Sequence, residues 1–337
     1  MEGYTRSPMP LLFLGREDVE ALLPYGECVE VMAGALAALA RGEALQPLRS
    51  AHWLPDRRGL LGVMPGALLE GEEEILGLKV ITVFPGNHAH GEESHLGAVL
   101  LFEGERGRPV AMLDAAAVTA IRTAAVSALA TKLLAQEEAG DLALLGSGVQ
   151  ARTHLAALRE VRPPRRVRVW SRHPESARRF AERESERHGL PVEPAASAKE
   201  AVSGADLICT VTSAREPVLL GEWIADGAHV NAVGACTPAA RELDSAAVAR
   251  ARLFVDRRES ALAEPGDLLT PLREGAIGED HIQGELGDLL LGRLPGRRSA
   301  GEITLFKSLG LAVEDLAAAR HVHRKALEQG RGISLPL

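Results

Sequence analysis

The chain has 337 residues, of which 46% are hydrophobic and 25% charged. This length suits about two domains of ~150 residues with their own cores, which excludes a disulfide-stapled miniprotein. The composition excludes a largely disordered chain and argues against a fibrous one. With 38 basic against 46 acidic residues and 3% aromatics, the chain lacks the basic surplus and the stacking side chains that nucleic-acid and anionic-membrane binders use. The sequence predicts a soluble, folded protein whose partner is a small molecule.

The cysteines and the start of the chain bear on its compartment. Cys28, Cys209 and Cys236 are an odd number without paired spacing, so neither a disulfide framework nor a CxxC metal site is expected. Met1-Glu2-Gly3 opens no targeting segment, and no run reaches the ~18 apolar residues of a membrane span. We therefore expect a cytoplasmic location and no membrane partner.

The first third of the chain combines a helix with several strands. Helical apolar spacing covers Val29 to Leu45. Glycine-rich turns separate four strand-like runs, which are Leu60 to Pro65, Ile75 to Phe84, Leu96 to Glu103 and Pro109 to Asp114. This pattern predicts one sheet with a flanking helix.

A long helical segment follows these strands. Residues Asp114 to Ala139 are rich in alanine and leucine and contain neither glycine nor proline. The sequence predicts one helix over this range, with Asp114 as its N-cap, leading out of the first domain.

The remainder of the chain alternates short apolar strands with helical stretches. The strand-like runs are Asp141 to Gly146, Val167 to Ser171, Ala205 to Val211, Ala228 to Val233 and Arg252 to Asp256. The tail from Leu311 to Gly330 is again helical and is expected to pack back on the first domain. The predicted fold class is α/β, with a Rossmann-type doubly wound parallel sheet plus a second, α+β domain.

A glycine-rich loop follows the first of these strands directly. It has the G-x-G-x-x-A form of the dinucleotide fingerprint, in which the first glycine turns tightly, the second lets the backbone approach a pyrophosphate, and the small third residue lets helix pack on strand. The helix that follows would direct its unpaired N–H groups at the phosphates. The residues are Gly146, Ser147, Gly148, Val149, Gln150 and Ala151.

The end of the next strand indicates which dinucleotide binds. NAD enzymes usually place Asp or Glu there to bind the ribose 2′-hydroxyl, whereas this chain has Ser171, Arg172 and His173. An arginine can pair with a 2′-phosphate, so NADPH is preferred over NADH. The alternative is that Arg172 is a solvated loop arginine.

Several different short motifs are distributed along the whole chain. They are Pro47-Leu48-Arg49, Gly62-Val63-Met64-Pro65, Lys79 followed by FPGN, TAIRTAAVSA at 119–128, the GSGVQA loop, NAVGA at 231–235, RELD at 241–244 and FKSLG at 306–310. In this order they resemble the ornithine cyclodeaminase/mu-crystallin family. The resemblance implies a homodimer, with residues 1–120 and 312–337 forming a substrate-binding and dimerisation domain and residues 121–311 forming an NADP-binding Rossmann domain.

The resemblance also implies a substrate pocket. It assigns Arg49, Lys79 and Arg122 to binding the substrate carboxylate and adds Met64 and Cys236 to the pocket. Charge-assisted hydrogen bonds from two arginines and a lysine suit a desolvated carboxylate. Lys79 lies in an apolar strand, where a charge needs a reason, and Arg122 lies in an alanine-rich helix, whereas Arg49 alone could be a surface arginine.

Further cofactor contacts are implied by the same resemblance. Ser94, His95 and Lys307 are expected near the nicotinamide end, and Glu264-x-Gly266-Asp267 is given a structural role. The HxH loop with His88, His90 and His95 lacks a clear third ligand, so no metal is expected. The remaining cofactor-binding candidates are Thr123, Val211, Thr212 and Val233.

One departure from the family pattern bears on the reaction. Ornithine cyclodeaminases and related alanine dehydrogenases carry an aspartate after the N-A-V-G segment, and Cys236 occupies the matching position here. Mu-crystallin-type members also lack this aspartate and reduce cyclic ketimines with NADPH. The resemblance therefore favours reduction of a small cyclic imino acid, such as pyrroline- or piperideine-2-carboxylate, to the cyclic L-amino acid.

The expected mechanism is hydride transfer from NADPH to the C=N carbon. Lys79 and Arg122 are the catalytic candidates, with Lys79 delivering a proton or tuning the site, since a partly buried lysine shifts its pKa readily. Two alternatives remain open. One is an ornithine cyclodeaminase or alanine dehydrogenase activity, and the other is a non-enzymatic carrier of NADPH or another small ligand.

Overall fold

The structure, a computed structural model, describes residues 10–69, 74–91 and 93–336, without the side chains of His88 and Ala89. Met1-Glu2-Gly3 and the His88 side chain, which figured in the predictions, lie outside the described residues. Contacts between Cα atoms divide the chain into unit 1, Met1–Arg122 with Leu311–Leu337, and unit 2, Thr123–Gly310. The boundaries predicted from sequence were 120/121 and 311/312.

The elements are numbered here in chain order. The strands are β1 (Leu11–Leu14), β2 (Ala44–Leu45), β3 (Ser50–Trp53), β4 (Leu60–Leu68), β5 (Ile75–Val83), β6 (His95–Glu103), β7 (Pro109–Asp114), β8 (Asp141–Leu145), β9 (Arg166–Trp170), β10 (Val192–Pro194), β11 (Leu207–Thr210), β12 (His229–Ala232), β13 (Arg252–Val255), β14 (Ile282–Glu285), β15 (Thr304–Lys307) and β16 (Ile333–Leu335). The α-helices are α1 (Arg16–Leu22), α2 (Tyr25–Arg41), α3 (Ala115–Leu134), α4 (Val149–Val161), α5 (Pro174–His188), α6 (Ala198–Val202), α7 (Ser245–Arg250), α8 (Arg258–Ala261), α9 (Gly266–Arg273), α10 (Leu286–Leu290) and α11 (Ala312–Gln329). Short 3₁₀ turns cover Pro85–His90, Gly221–Trp223 and Glu279–His281.

Unit 1 is built on a mixed sheet with the order β16-β1-β7-β6-β5-β4-β2, and β3 pairs with β4. The strands β4 to β7 form an antiparallel meander, while β1 runs parallel to β7. Helix α11 packs on β4, β5 and β6 and also on α2. The predicted sheet with a flanking helix is therefore present, although the helix over its middle strands comes from the other end of the chain.

Two glycines let α11 approach this sheet closely. Gly66 and Gly77 face each other across β4 and β5. A Cβ atom on Gly77 would lie 2.6 Å from Leu316 Cδ2, and one on Gly66 would lie 3.1 Å from the Cβ of Ala312. Because neither glycine has a side chain, Ala312 and Leu316 at the start of α11 pack directly against the backbone of β4 and β5.

Unit 2 confirms the predicted Rossmann-type fold. Its eight strands are all parallel and follow the order β10-β9-β8-β11-β12-β15-β13-β14. The apolar runs noted in the sequence supply the central strands, whose residues in β11 and β12 are all buried. Such continuous burial is typical of parallel strands covered on both faces.

The predicted long helix is shorter than expected. Its N-cap is confirmed, because the Asp114 carboxylate accepts a hydrogen bond from the Ala117 N–H at 2.7 Å. The prediction of helix to Ala139 was wrong, since α3 ends at Leu134. The Leu134 carbonyl instead accepts hydrogen bonds from the side chains of Arg297 (2.8 Å) and Thr304 (3.1 Å). These partners are remote in sequence and replace the next helical turn.

Helix α3 is also long and apolar enough to span a membrane by length and composition, with a mean hydropathy of 1.3, as is the bent pair α1 and α2 taken together. The sequence contains no uninterrupted apolar run of this length, so the sequence pattern did not identify these helices as possible membrane spans. However, 83% of the α3 window is buried inside the protein, as in a core helix.

Candidate functional site

The carboxyl ends of the central strands in unit 2 form one edge. In register along it lie Trp170, Leu145, Thr210, Ala232 and Lys307. In doubly wound sheets ligands bind in the crevice outside this edge. Most of the cofactor-binding candidates in unit 2 follow these strand ends directly, namely Gly146 to Ala151, Ser171 to His173, Val211, Thr212 and Val233, and Lys307 ends β15, whereas Thr123 lies in α3.

The loop after β8 has the geometry that a pyrophosphate needs. Gly146 adopts φ +123°, and a Cβ atom there would lie 2.7 Å from the Val211 carbonyl oxygen, so only glycine fits. Gly148 is the N-cap of α4 and has no side chain to cap it, which leaves the first N–H groups of this 13-residue helix available to an anion. Ala151 is fully buried, as close packing of helix on strand requires. The residues present therefore fit a bound dinucleotide.

The turn after β9 carries no acidic side chain. Arg172 and His173 are exposed, and the His173 N–H donates to Ser171 Oγ at 3.4 Å before α5 begins at Pro174. Since β9 lies beside β8, this turn neighbours the glycine loop on the same edge. An exposed cation at this point suits an additional phosphate on the adenosine ribose.

A buried carboxylate, Glu242, organises the turns after β11 and β12. It accepts hydrogen bonds from the Thr210 hydroxyl (2.9 Å), from the N–H (2.6 Å) and hydroxyl (2.7 Å) of Thr212, and from the Gly234 N–H (2.6 Å). Burial and the nearby Asp267 charge raise its pKa. In the sequence Glu242 was noted only as part of the RELD motif. Its role could not be predicted, because its hydrogen-bond partners come close to it only when β11 and β12 pair in the sheet.

Lys307 at the end of β15 joins the same network. Its ammonium donates to the Ala232 carbonyl (3.1 Å) and to Asp267 Oδ2 (3.2 Å). Burial acts to lower the pKa of Lys307, but Asp267 and neighbouring acidic groups outweigh it and raise the pKa. Asp267 also accepts the N–H groups of Glu242 and Leu243, so the structural role expected for it is consistent with its contacts. Lys307 remains charged and anchors the edge.

The Cys236 thiol is half-buried and donates to the Val233 carbonyl oxygen at 3.3 Å. Cys28 and Cys209 are buried free thiols. Within the part of the chain that the structure describes, no group of three or more His, Cys, Asp and Glu side chains could bind a metal ion.

Unit 1 contains a second, entirely different cluster. Lys79 and Arg122 are 2% and 3% exposed, and both contact the fully buried Asp315. The Lys79 Nζ lies 2.6 Å from Asp315 Oδ2, and the Arg122 Nε lies 2.7 Å from Asp315 Oδ1. A second buried carboxylate, Glu314, lies 2.7 Å from a terminal nitrogen of Arg122. Two cations and two carboxylates are thus buried together.

The titration of this cluster follows from its burial. Desolvation lowers the pKa of Lys79 to about 8, with Asp315 opposing that shift and the Arg122 and Arg49 charges adding to it. For Asp315, burial acts to raise the pKa, but the charges of Arg122 and Lys79 outweigh it and lower the pKa. Near neutral pH Asp315 is therefore ionised, and Lys79 is the group that can release a proton.

The other predicted residues of unit 1 divide into near and distant ones. Met64 is buried opposite Lys79 in the β4–β5 register. Arg49 is half-buried and acts on Lys79 electrostatically. Ser94 and His95 contact each other at 2.9 Å, and His95 pairs with Val83, four residues along β5 from Lys79, or roughly 13 Å. The structure thus brings Arg49, Met64, Lys79 and Arg122 together but not Ser94 and His95.

Sequence reasoning missed Glu314 and Asp315. Acidic residues in the first turn of a helix are ordinarily explained by the helix dipole, and Glu314 does accept a hydrogen bond from the Leu311 N–H at 3.2 Å. The signal available in the sequence is the presence of two cations, Lys79 and Arg122, in apolar elements, since buried cations require buried counter-charges elsewhere in the chain.

Comparison with known proteins places this chain in context. The profile of the ornithine cyclodeaminase/mu-crystallin family matches residues 11–330. Ketimine reductase mu-crystallin of Mus musculus is 42% identical over 315 residues, covering 92% of this chain and 96% of its own. The Δ1-pyrroline-2-carboxylate reductase of Thermococcus litoralis, solved in complex with NADH and L-proline, superposes with a TM-score of 0.93 at 40% identity, covering 96% and 99%.

An archaeal alanine dehydrogenase, solved as a dimer with bound NAD, superposes with a TM-score of 0.91 at 32% identity, covering 97% of this chain and 99% of its own. The family match spans both the carboxyl edge of unit 2 and the charged cluster of unit 1. The expected resemblance is thereby confirmed, and the chain belongs to the ornithine cyclodeaminase/mu-crystallin family.

Proposed function

We propose that this protein is an NAD(P)H-dependent ketimine reductase, which reduces cyclic α-imino acids of the pyrroline- or piperideine-2-carboxylate type to cyclic L-amino acids. The observation that carries the proposal is the buried Lys79–Arg122–Asp315 cluster, in a chain that also has a dinucleotide loop. Relatives that resemble it over nearly their whole length are a ketimine reductase and a pyrroline-2-carboxylate reductase.

The reduction needs a hydride and a proton. The loop from Gly146 to Ala151 would hold the dinucleotide, which would supply the hydride for the imine carbon while the C=N electron pair passes to the nitrogen. Arg49, Lys79 and Arg122 bind the substrate carboxylate and orient the ring. With a pKa of about 8, the Lys79 ammonium is charged at neutral pH and can donate the proton that the nitrogen takes up.

Release of ammonia from ornithine would require a different acid–base group. The turn after β12 offers the Cys236 thiol, which donates to a backbone carbonyl. In the charged cluster, Asp315 stays ionised because both of its oxygens face cations. These groups favour imine reduction over the cyclodeaminase alternative.

The decisive experiment is an assay of NADPH oxidation with five- and six-membered cyclic imino acids, with ornithine plus NAD as the control reaction. We expect imine-dependent oxidation and formation of the corresponding cyclic amino acid. Release of ammonia from ornithine at a comparable rate would overturn the proposal, and cofactor binding without turnover of any imine would favour a carrier.

Within this function we propose that NADPH is preferred over NADH, because Arg172 is an exposed cation in a turn without a carboxylate. Replacing Arg172 by alanine should weaken NADPH binding by about 10- to 100-fold, as expected for lost hydrogen bonds to a charged phosphate, and leave NADH binding nearly unchanged. Fluorescence titration with both cofactors measures this ratio. Arg166→Ala, at the opposite end of β9, is the matched control, and a wild-type preference for NADH would contradict the assignment.

We also propose a homodimer formed through the face of the unit 1 sheet opposite α11. On β5, Leu76, Leu78 and Val80 alternate with the buried Gly77 and Lys79 and are exposed or half-buried. Such an apolar face is typical of an interface, and the archaeal alanine dehydrogenase is a dimer. Sedimentation equilibrium should give twice the chain mass, and Leu76→Asp should shift the protein towards monomer. The control Leu327→Asp, on the exposed end of α11, should not.

A further inference from the structure

The charged cluster of unit 1 is organised around one carboxylate. Each oxygen of Asp315 faces a different cation, Oδ1 the Arg122 guanidinium at 2.7 Å and Oδ2 the Lys79 ammonium at 2.6 Å. All three side chains are nearly inaccessible to solvent. The two cations come from β5 and α3, whereas the carboxylate comes from α11. The distance between Lys79 and Arg122 is therefore fixed by a third element, α11.

The neighbouring carboxylate has a different task. Glu314 accepts from Arg122 at 2.7 Å and from the Leu311 N–H at 3.2 Å, so it caps α11 while pairing with the arginine. Asp315 and Glu314 are adjacent in one helix but contact different groups, so neutral variants of the two residues can be compared as a matched pair.

Charged and polar groups from three parts of unit 1 act on the buried Lys79 ammonium. Asp315 faces it from α11 and Arg122 from α3, with the Thr119 hydroxyl accepting from its ammonium at 3.2 Å. Arg49, from the segment before β3, adds a like charge. Asp315 is the carboxylate in direct contact with the Lys79 ammonium, and it opposes the combined effect of burial and two arginines.

We propose that Asp315 is a positioning residue for the proposed reduction: it fixes the Lys79 ammonium beside Arg122 and keeps it protonated at neutral pH. This inference rests on the proposed function, but the contact between Asp315 and Lys79 can be tested independently of it. Asp315 itself donates no proton, because the two cations lower its pKa.

The sign of the expected effect is fixed by the charges. Asp315 raises the pKa of Lys79 against the lowering by burial. In Asp315→Asn the neutral amide no longer favours the ammonium, so the pKa of Lys79 should fall, by roughly one to three units for loss of a close opposite charge. In Glu314→Gln it should move much less, because Glu314 pairs with Arg122 and the helix terminus.

The experiment reads Lys79 directly. The chain has five lysines, Lys79, Lys132, Lys199, Lys307 and Lys325, so NMR of protein labelled with ¹³C at lysine Cε gives few signals, and Lys79→Met assigns the relevant one. We expect a midpoint near pH 8 in the wild-type protein, a lower one in Asp315→Asn and a similar one in Glu314→Gln. An unchanged midpoint in Asp315→Asn overturns the proposal, whether or not the protein reduces imines.

Kinetics supply the second readout. The alkaline limb of the pH profile of kcat/KM should move to lower pH in Asp315→Asn and stay in place in Glu314→Gln. A uniform loss of rate with an unmoved limb would indicate a merely structural role and also overturn the proposal. Should Asp315→Asn not fold, Asp315→Glu retains the charge on a longer side chain. It should keep the Lys79 midpoint near that of the wild type and lower kcat, whereas wild-type kcat would contradict positioning.

Discussion

Replacing Lys79 by methionine is expected to lower kcat for imine reduction by about 10²- to 10⁴-fold, the usual contribution of a positioned general acid. Methionine fills the same buried volume opposite Met64 but carries no proton, and it leaves Asp315 paired with Arg122. Cofactor affinity should be unchanged, because the dinucleotide loop lies in unit 2. Steady-state kinetics and a fluorescence titration of NADPH measure the two quantities, and unchanged turnover would refute the role of Lys79.

The wild-type pH profile provides a companion test. The pKa of Lys79 is lowered to about 8, so its protonated fraction, and with it the rate, should fall as the pH rises through about 8. Lys79→Arg is the informative control. A guanidinium keeps the charge but does not titrate in this range, so the alkaline limb should disappear even where some carboxylate binding survives.

Arg122→Met should strongly destabilise the protein. It removes one cation from two fully buried carboxylates, and breaking a buried ion pair in this way costs about 3–5 kcal/mol. Methionine suits the helix interior, so the loss is electrostatic rather than conformational. Urea unfolding of the whole protein should show a lower midpoint.

Arg166→Met is the control for that measurement. Its pair with Glu193 is about half exposed on both sides, and such a surface pair contributes little to stability because solvent screens it. If Arg122→Met and Arg166→Met lost equal stability, the buried cluster would not be the source of the effect.

Much of unit 2 could be predicted from the sequence, because parallel strands buried on both faces leave a strong apolar signal. The dinucleotide loop was equally clear, since only glycine fits the conformation at Gly146. The short strand β15 was missed as a strand, although it lies between β12 and β13 and is fully buried. It ends in Lys307, and a buried lysine in a central strand is explained only by its ion pair with Asp267, which the sequence does not reveal.

The cluster of unit 1 was half predictable. Lys79 and Arg122 were conspicuous as charges in apolar elements. Their counter-charges Glu314 and Asp315 lie 192 and 193 residues beyond Arg122, at the start of a helix, where acids are common. The end of α3 could not be predicted for the same reason, because the side chain that hydrogen-bonds to the Leu134 carbonyl belongs to Arg297, 163 residues further along the chain. Pairings of this kind are created by the fold and leave no local pattern.

The buried carboxylates also affect the energetics of ligand binding. Lys79 and Arg122 lose their hydration during folding, when Glu314 and Asp315 replace the water around them. An incoming monoanionic substrate therefore meets cations that are already dehydrated and fixed in direction, so little reorganisation remains for the binding step. Together with Arg49 the group comprises three cations and two carboxylates, and its single surplus positive charge matches one carboxylate on the ligand.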